Sequence, residues 1–272
     1  MNIQISLSNK KVLRGIIKSP GDHIRAGIIL VHGIGEHIQR YSHWIDRFNE
    51  KGIGVVGVDL PGHGLSDGKR GNIKSYSLTD EMIDFLLIEH KKTFPGIPVF
   101  IYGHSMGGGI VLQYLLHKNP EINGAIVTSP WLRLAFEPAK IKLILARIMK
   151  NLLPSVTLPS GLVVSHLSHD QKVVDGYFAD RLNHDRISFN LFYNAVTAAD
   201  YSLKHAGDLK IPLLLMHGTG DQVNSVQGSR DFAAESKVTE LKLWEGGYHE
   251  LHNELFKDEV FAYLMSWLEK KI

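Results

Sequence analysis

Six short aliphatic and β-branched runs recur along the chain: AGIILVH (26–32), IGVVGVDL (53–60), PVFIYG (98–103), GAIVTS (124–129), PLLLMH (212–217) and LKLWEG (241–246). Longer segments of helical period separate them. Strands that are apolar at nearly every position have to be buried on both faces, and a parallel sheet covered by helices on each side buries them so. The alternation therefore predicts a doubly wound α/β sheet. In the intervening stretch TDEMIDFLLIEHKKTF, Met82, Ile83, Leu86, Leu87 and His90 share one helical face, with Thr79 as the expected N-cap. Residues 3–18 read as an antiparallel hairpin that turns at Asn9 and Lys10 and covers one sheet edge.

The rhythm stops after Pro130 and resumes at IPLLLMHG. Between Trp131 and about Asp200 lie helical patterns such as IKLILARIMKNLL and FNLFYNAV, with the Pro/Ser-rich stretch LLPSVTLPSG between them. This predicts a core of residues 1–130 and 201–272 carrying a mostly helical insertion over 131–200. Ligands of open α/β sheets bind outside the carboxyl ends of the strands, so an insertion there is a candidate lid; the alternative is an added structural layer.

Composition removes several function classes. The chain has 272 residues, 44% of them hydrophobic and 21% charged, ordinary values for a globular protein with a sizeable core. A formal net charge of +2 without long basic runs gives no footing for nucleic acid. There is no cysteine, which excludes disulfides, thiolate metal sites and a thiol nucleophile. The first residues alternate apolar and polar with no h-region, and no stretch approaches the roughly 20 apolar residues that span a bilayer. The expectation is a cytoplasmic chain that touches membranes, if at all, at their surface; oligomeric state is not legible.

Ser105 in IYGHSMGGGI follows a predicted strand and precedes a predicted helix, the strand-turn-helix context that lifts a GxSxG serine to the top of a sheet. A serine hydroxyl needs a base and the base an orienting acid. GTGDQVNS after the fifth run supplies Asp221, and GYHELHNE after the sixth supplies His249, in the chain order Ser, Asp, His. Asp208 precedes its strand and sits at the wrong end of the sheet. His252 competes with His249 but comes later in its loop, and is read as lining the pocket. HELHN has its second histidine one position too early for HExxH.

An oxyanion needs two donors. The N–H groups of Met106, next to the serine, and of Ile34, in HGIGEH after the first run, are the candidates. His32 and His37 in that loop lack a third ligand, so no metal is expected. VDLPGHGLSDG (58–68) carries neither phosphate-loop signature and reads as a brace, with Asp59 as structural support.

Taken in order, HGIGEHIQRY, DLPGHGLSDG, GHSMGG, HGTGDQV and GGYHELHNE resemble the monoacylglycerol lipase and lysophospholipase branch of the α/β-hydrolase family over nearly the whole chain. The resemblance implies the α/β-hydrolase fold, a mostly parallel sheet with helices on both faces and an inserted helical lid. It implies Ser105, Asp221 and His249 as a triad, with Ile34 and Met106 as the oxyanion hole. It also implies Glu36, Arg40, His104, Tyr177 and His252 at the polar end of the substrate. The activity implied is cofactor-free cleavage of a small lipid ester, a single-chain acylglycerol, through an acyl-enzyme; a lysophospholipase or a carboxylesterase of small or aromatic esters is the alternative. Ile141, Ile144, Leu145, Ile148 and Leu152 share a face of the first lid helix, with Lys140, Lys142, Arg147 and Lys150 more peripheral. That face either meets membranes or micelles, or packs on the body of the enzyme.

Overall fold

The computed structural model describes residues 1–21, 23–136 and 140–272, and for residues 140–145 the backbone alone. The side chains of Lys140, Ile141, Lys142, Ile144 and Leu145, on which the amphipathic reading of IKLILARIMKNLL partly rests, lie outside the described residues.

All six apolar runs are strands, preceded by the hairpin. β1 (Asn2–Ser6) and β2 (Val12–Lys18) lead into β3 (Ala26–Val31), β4 (Ile53–Val58), β5 (Val99–His104) and β6 (Gly124–Thr128). After the short β7 (Thr157–Pro159) and β8 (Arg186–Ser188) come β9 (Leu213–Gly218) and β10 (Thr239–Trp244). Eight of them form one sheet in the order β1-β2-β4-β3-β5-β6-β9-β10. Within that sheet the β1/β2 and β2/β4 pairs are antiparallel and the others parallel. The hairpin closes where Lys10 adopts a φ of +65°.

The helices are α1 (Ser42–Glu50), α2 (Ser77–Thr93), α3 (Met106–Lys118), α4 (Lys140–Leu152), α5 (Gln171–Ala179), α6 (Phe189–Lys204), α7 (Val226–Glu235) and α8 (Lys257–Glu269). Alternate strand residues serve opposite layers. Ile28 and Leu30 of β3 pack with Trp44, Phe48 and Phe261 of α1 and α8, whereas Ile29 and Val31 pack with Ile83, Leu86 and Ile110 of α2 and α3. Every residue of β3, β4, β6 and β9 is buried, the pattern a sheet covered on both faces requires.

One local expectation is corrected. Thr79 lies inside α2, whose N-cap is Tyr76; its hydroxyl donates back to the Tyr76 carbonyl at 2.7 Å, the competing use of a threonine near a helix start. Over residues 140–204, α4, α5 and α6 are accompanied by the short β7 and β8, which pair antiparallel between α4 and α6.

The strand order reverses beside β3: the chain moves outward to β4, then returns through α2 to place β5 on the other flank. The loops after β3 and β5 are thus splayed apart, leaving the crevice where open α/β sheets bind ligands. Ser105 and Ile34 both sit there.

Candidate active site

Ser105 occupies the single residue between β5 and α3, with φ +54° and ψ −120°, a region sparsely populated by residues that carry a Cβ. Its N–H donates to the Thr128 carbonyl at 3.0 Å, and its carbonyl accepts from Trp131 at 2.9 Å. So tight a turn leaves no room for neighbouring side chains. A Cβ on Gly103 would come 2.8 Å from the Gly107 carbonyl oxygen, and one on Gly107 would run into the carbonyls of Val31 and His32.

Three loops converge on this serine. His249 Nε2 lies 2.9 Å from Ser105 Oγ, and His249 Nδ1 lies 2.8 Å from Asp221 Oδ2. Asp221 Oδ1 accepts from the N–H groups of Val223 at 2.8 Å and Asn224 at 3.0 Å. All three side chains are buried. Burial disfavours the Asp221 anion, but the adjacent His249 and hydrogen bonds from His217 and His249 outweigh it and hold the carboxyl well below its ordinary range. Burial likewise opposes a charged His249, yet Asp221, with Glu250 and Glu36 nearby, shifts the ring upward overall.

The N–H groups of Ile34 and Met106 are engaged by no other group among the described residues. Ile34 and Ser105 line the same two cavities. His32, at the end of β3, is spent on the backbone: Nδ1 faces the Gly33 carbonyl at 2.8 Å, and Nε2 accepts from Leu60 N–H at 2.9 Å. Asp59 braces the same region by accepting from Ile38 and Leu65 N–H at 2.8 and 2.7 Å.

The residues expected at a polar end are distributed unevenly. Glu36, Arg40, His104 and Tyr177 line a small cavity of about 20 Å³ beside Ser105 and His249. Their polar atoms are largely committed. Glu36 accepts from Gly33 N–H, the Tyr41 hydroxyl and Arg40. Arg40 also forms a bidentate pair with Glu250 at 2.7 and 2.8 Å, which raises the guanidinium and depresses the Glu250 carboxyl against the cost of burial. His104 Nδ1 faces Thr128 Oγ1 at 2.9 Å. Tyr177, on α5, donates to the Gly35 carbonyl at 3.0 Å. His252 departs from expectation: it lines neither cavity beside Ser105, but sits one layer deeper, stacked on Tyr41 with ring centroids 4.5 Å apart. There burial pushes its ring down to about 3.

On the other side of Ser105 a cavity of about 560 Å³ opens under the insertion, walled by Trp131, Leu134, Phe136, Leu162, Ile187 and Phe192. That volume falls within the range of small-molecule sites. Residues 167–169 are tied to the loop after β10 at this point. Glu250 N–H donates to the Leu167 carbonyl at 2.8 Å, and the buried Glu254 carboxylate accepts from Tyr248 N–H and faces His169 Nδ1 at 2.7 and 2.9 Å.

Sequence reasoning passes over His217 and Glu250. His217 Nε2 lies 3.1 Å from Asp221 Oδ2, and Glu250 joins the loop of His249 to that of Ile34 through Arg40.

Residues 22–255 match the Hydrolase_4 family, described as serine aminopeptidase, S33. The chain is 36% identical over 251 residues to an uncharacterized abhydrolase domain-containing protein of Dictyostelium discoideum; the match takes in 91% of this chain but 26% of that much longer protein. It is 31% identical over 258 residues to a monoacylglycerol lipase of Mycolicibacterium smegmatis, covering 92% of this chain and 91% of the other. Among solved structures, a monoacylglycerol lipase of Paleococcus ferrophilus superposes with a TM-score of 0.87 at 32% identity, over 96% of this chain and 99% of that one.

Proposed function

We propose, from the premise that this chain belongs to the Hydrolase_4 family and within it to the monoacylglycerol lipase branch of the α/β-hydrolases, that it hydrolyses monoacylglycerols through an acyl-enzyme on Ser105. The observation that carries the reading is the unbroken line Asp221–His249–Ser105, with contacts of 2.8 and 2.9 Å, at the floor of an apolar chamber.

In this mechanism His249 Nε2 takes the Ser105 proton as Oγ attacks the ester carbonyl. Asp221 holds the ring by Nδ1 and stabilises the imidazolium. The N–H groups of Ile34 and Met106 receive the oxyanion, each worth about 2.7 to 4 kcal/mol in the transition state. His249 then returns the proton to the departing alcohol oxygen, and water repeats the sequence on the acyl-enzyme to release the fatty acid.

The two cavities argue for the kind of ester. A single acyl chain suits the 560 Å³ chamber, whereas the 20 Å³ recess has room for about one hydroxyl-sized group. A phosphate head group would need a free cation. Among the described residues Arg40 is the one arginine or lysine lining the recess, and two carboxylates already hold it. Glycerol fits this chemistry better than phosphocholine.

The surface of the insertion supports uptake from lipid. Phe136 and Val163, which line the chamber, are 55% and 49% exposed, and Phe178, which lines a neighbouring cavity with Val163, is 72% exposed. No helix among the described residues is long and apolar enough to cross a membrane. Peripheral contact through this apolar lip is the reading adopted; absence of the protein from floated liposomes, zwitterionic and anionic alike, would remove it.

The central test compares rates on a long-chain monoacylglycerol, the matching lysophosphatidylcholine and a p-nitrophenyl ester. The expected order puts the monoacylglycerol first, with all activity lost in Ser105→Ala. Turnover that survives Ser105→Ala refutes the mechanism, and preference for the lysophospholipid refutes the substrate.

A further inference from the structure

The acid of the site is held by two histidines. His217 is fully buried near the end of β9, four residues before Asp221, and its Nε2 lies 3.1 Å from Oδ2, the same oxygen that meets His249 Nδ1. The Asn224 carbonyl lies 3.2 Å from that Nε2 as well. A carboxylate and a carbonyl can only accept, so the His217 proton resides on Nε2. Nδ1 lies 2.7 Å from Ser229 Oγ on α7, and in the neutral ring it accepts from that hydroxyl. Asp221 and the Asn224 carbonyl thus fix the tautomer, and the Ser229 hydroxyl, able to donate, matches it, much as outer partners orient metal-bound histidines.

With this donor in place, Asp221 has no idle lone pair: Oδ1 takes two backbone N–H groups and Oδ2 takes two imidazoles. We propose that His217 is a positioning residue for the acid, which fixes the carboxylate plane toward His249 and tempers the negative potential that Asp221 exerts on it. The proposal rests on the Ser105–His249–Asp221 reading. His217 touches neither cavity beside Ser105, so its effect reaches the chemistry through Asp221 alone.

The two roles have separable consequences. Without the His217 N–H, the carboxylate is less well fixed, and kcat falls by about tenfold or more, the worth of one hydrogen bond to a charged group. The same loss leaves more negative charge on Oδ2. His249 then holds its proton more tightly, and the acid limb of the kcat/KM profile moves to higher pH. The other titratable groups facing His249 are Glu250 and His252 from its own loop, His104 from β5 and Glu36 from the loop after β3, while His166 meets it through its backbone carbonyl. They are untouched by the substitution.

The experiment measures ester hydrolysis against pH for the wild type and for His217→Leu, His217→Asn and His217→Gln. Leu carries no donor and Asn is too short to reach, so both should lower kcat with KM unchanged and raise the acid limb. Gln can present an amide N–H to Asp221 and an oxygen to Ser229, and should restore both toward wild type. If the Leu protein does not fold, the Asn and Gln proteins carry the comparison. An unmoved limb in the donor-less variants, or a Gln variant no better than they are, overturns the proposal. Ser105→Ala serves as the separate control: activity that survives it refutes the triad reading, whereas the His217 series, read on the active enzyme, tests only this proposal.

Discussion

At His249 two forces act on one proton: burial expels charge from the ring, and the Asp221 carboxylate draws it in, with the net shift upward from 6.5. A base must be neutral to accept the serine proton. Activity should therefore fall on acidification with a midpoint above 6.5, visible in kcat/KM against pH. Asp221→Asn removes the largest attraction on the proton, so the limb should move to lower pH than in the wild type while kcat drops by about 10⁴-fold. A limb that does not move would place the titration elsewhere. Ser105, Asp221 and His249 are legible in the sequence because each follows a strand run, and the strand ends converge. His217 is not: a histidine closing a strand looks like any other, and its partner Ser229 arrives from a helix twelve residues on. The spacing of three between His249 and His252 suggests a shared pocket. The turn at Leu251–Asn253 instead carries His252 behind His104.

Between elements, the buried row Glu36–Arg40–Glu250 joins the loop after β3 to the loop after β10. Removing its centre leaves two carboxylates buried without their cation. Arg40→Leu should cost about 3 to 5 kcal/mol of stability, measured by denaturant titration at neutral pH. The dependence on acid follows from Glu250, whose folded-state carboxyl is depressed below its ordinary 4.5. The stabilisation is complete above that value and is lost as pH falls through the folded-state value, so the difference between wild type and variant should shrink in acid. The parallel strands are readable because burial on both faces writes continuous apolar runs. β7 and β8, at three residues each, are too short to show a period, and Thr79 looks like a cap because its actual use, a bond to the Tyr76 carbonyl, is local too.

For the molecule as a whole, the sequence predicts the layers but not the chambers. The walls of the larger cavity come from residues 34, 105, 131–136, 160–166, 187–192 and 221–224, segments that only the completed strand order and the ties at residues 167–169 bring together. One feature at the centre of that assembly bears on the stability of the entire fold. Ser105 is held at φ +54°, ψ −120°, a conformation open to glycine and costly by about 1 to 3 kcal/mol for other residues. Exchanging alanine for glycine ordinarily destabilises a protein by about 0.5 to 1 kcal/mol. At this position the order should invert, with Ser105→Gly melting above Ser105→Ala by several degrees in calorimetry. The proposed nucleophile would then be the place where this protein forgoes thermal resilience for reactivity, and an inert version of it would outlast the working one.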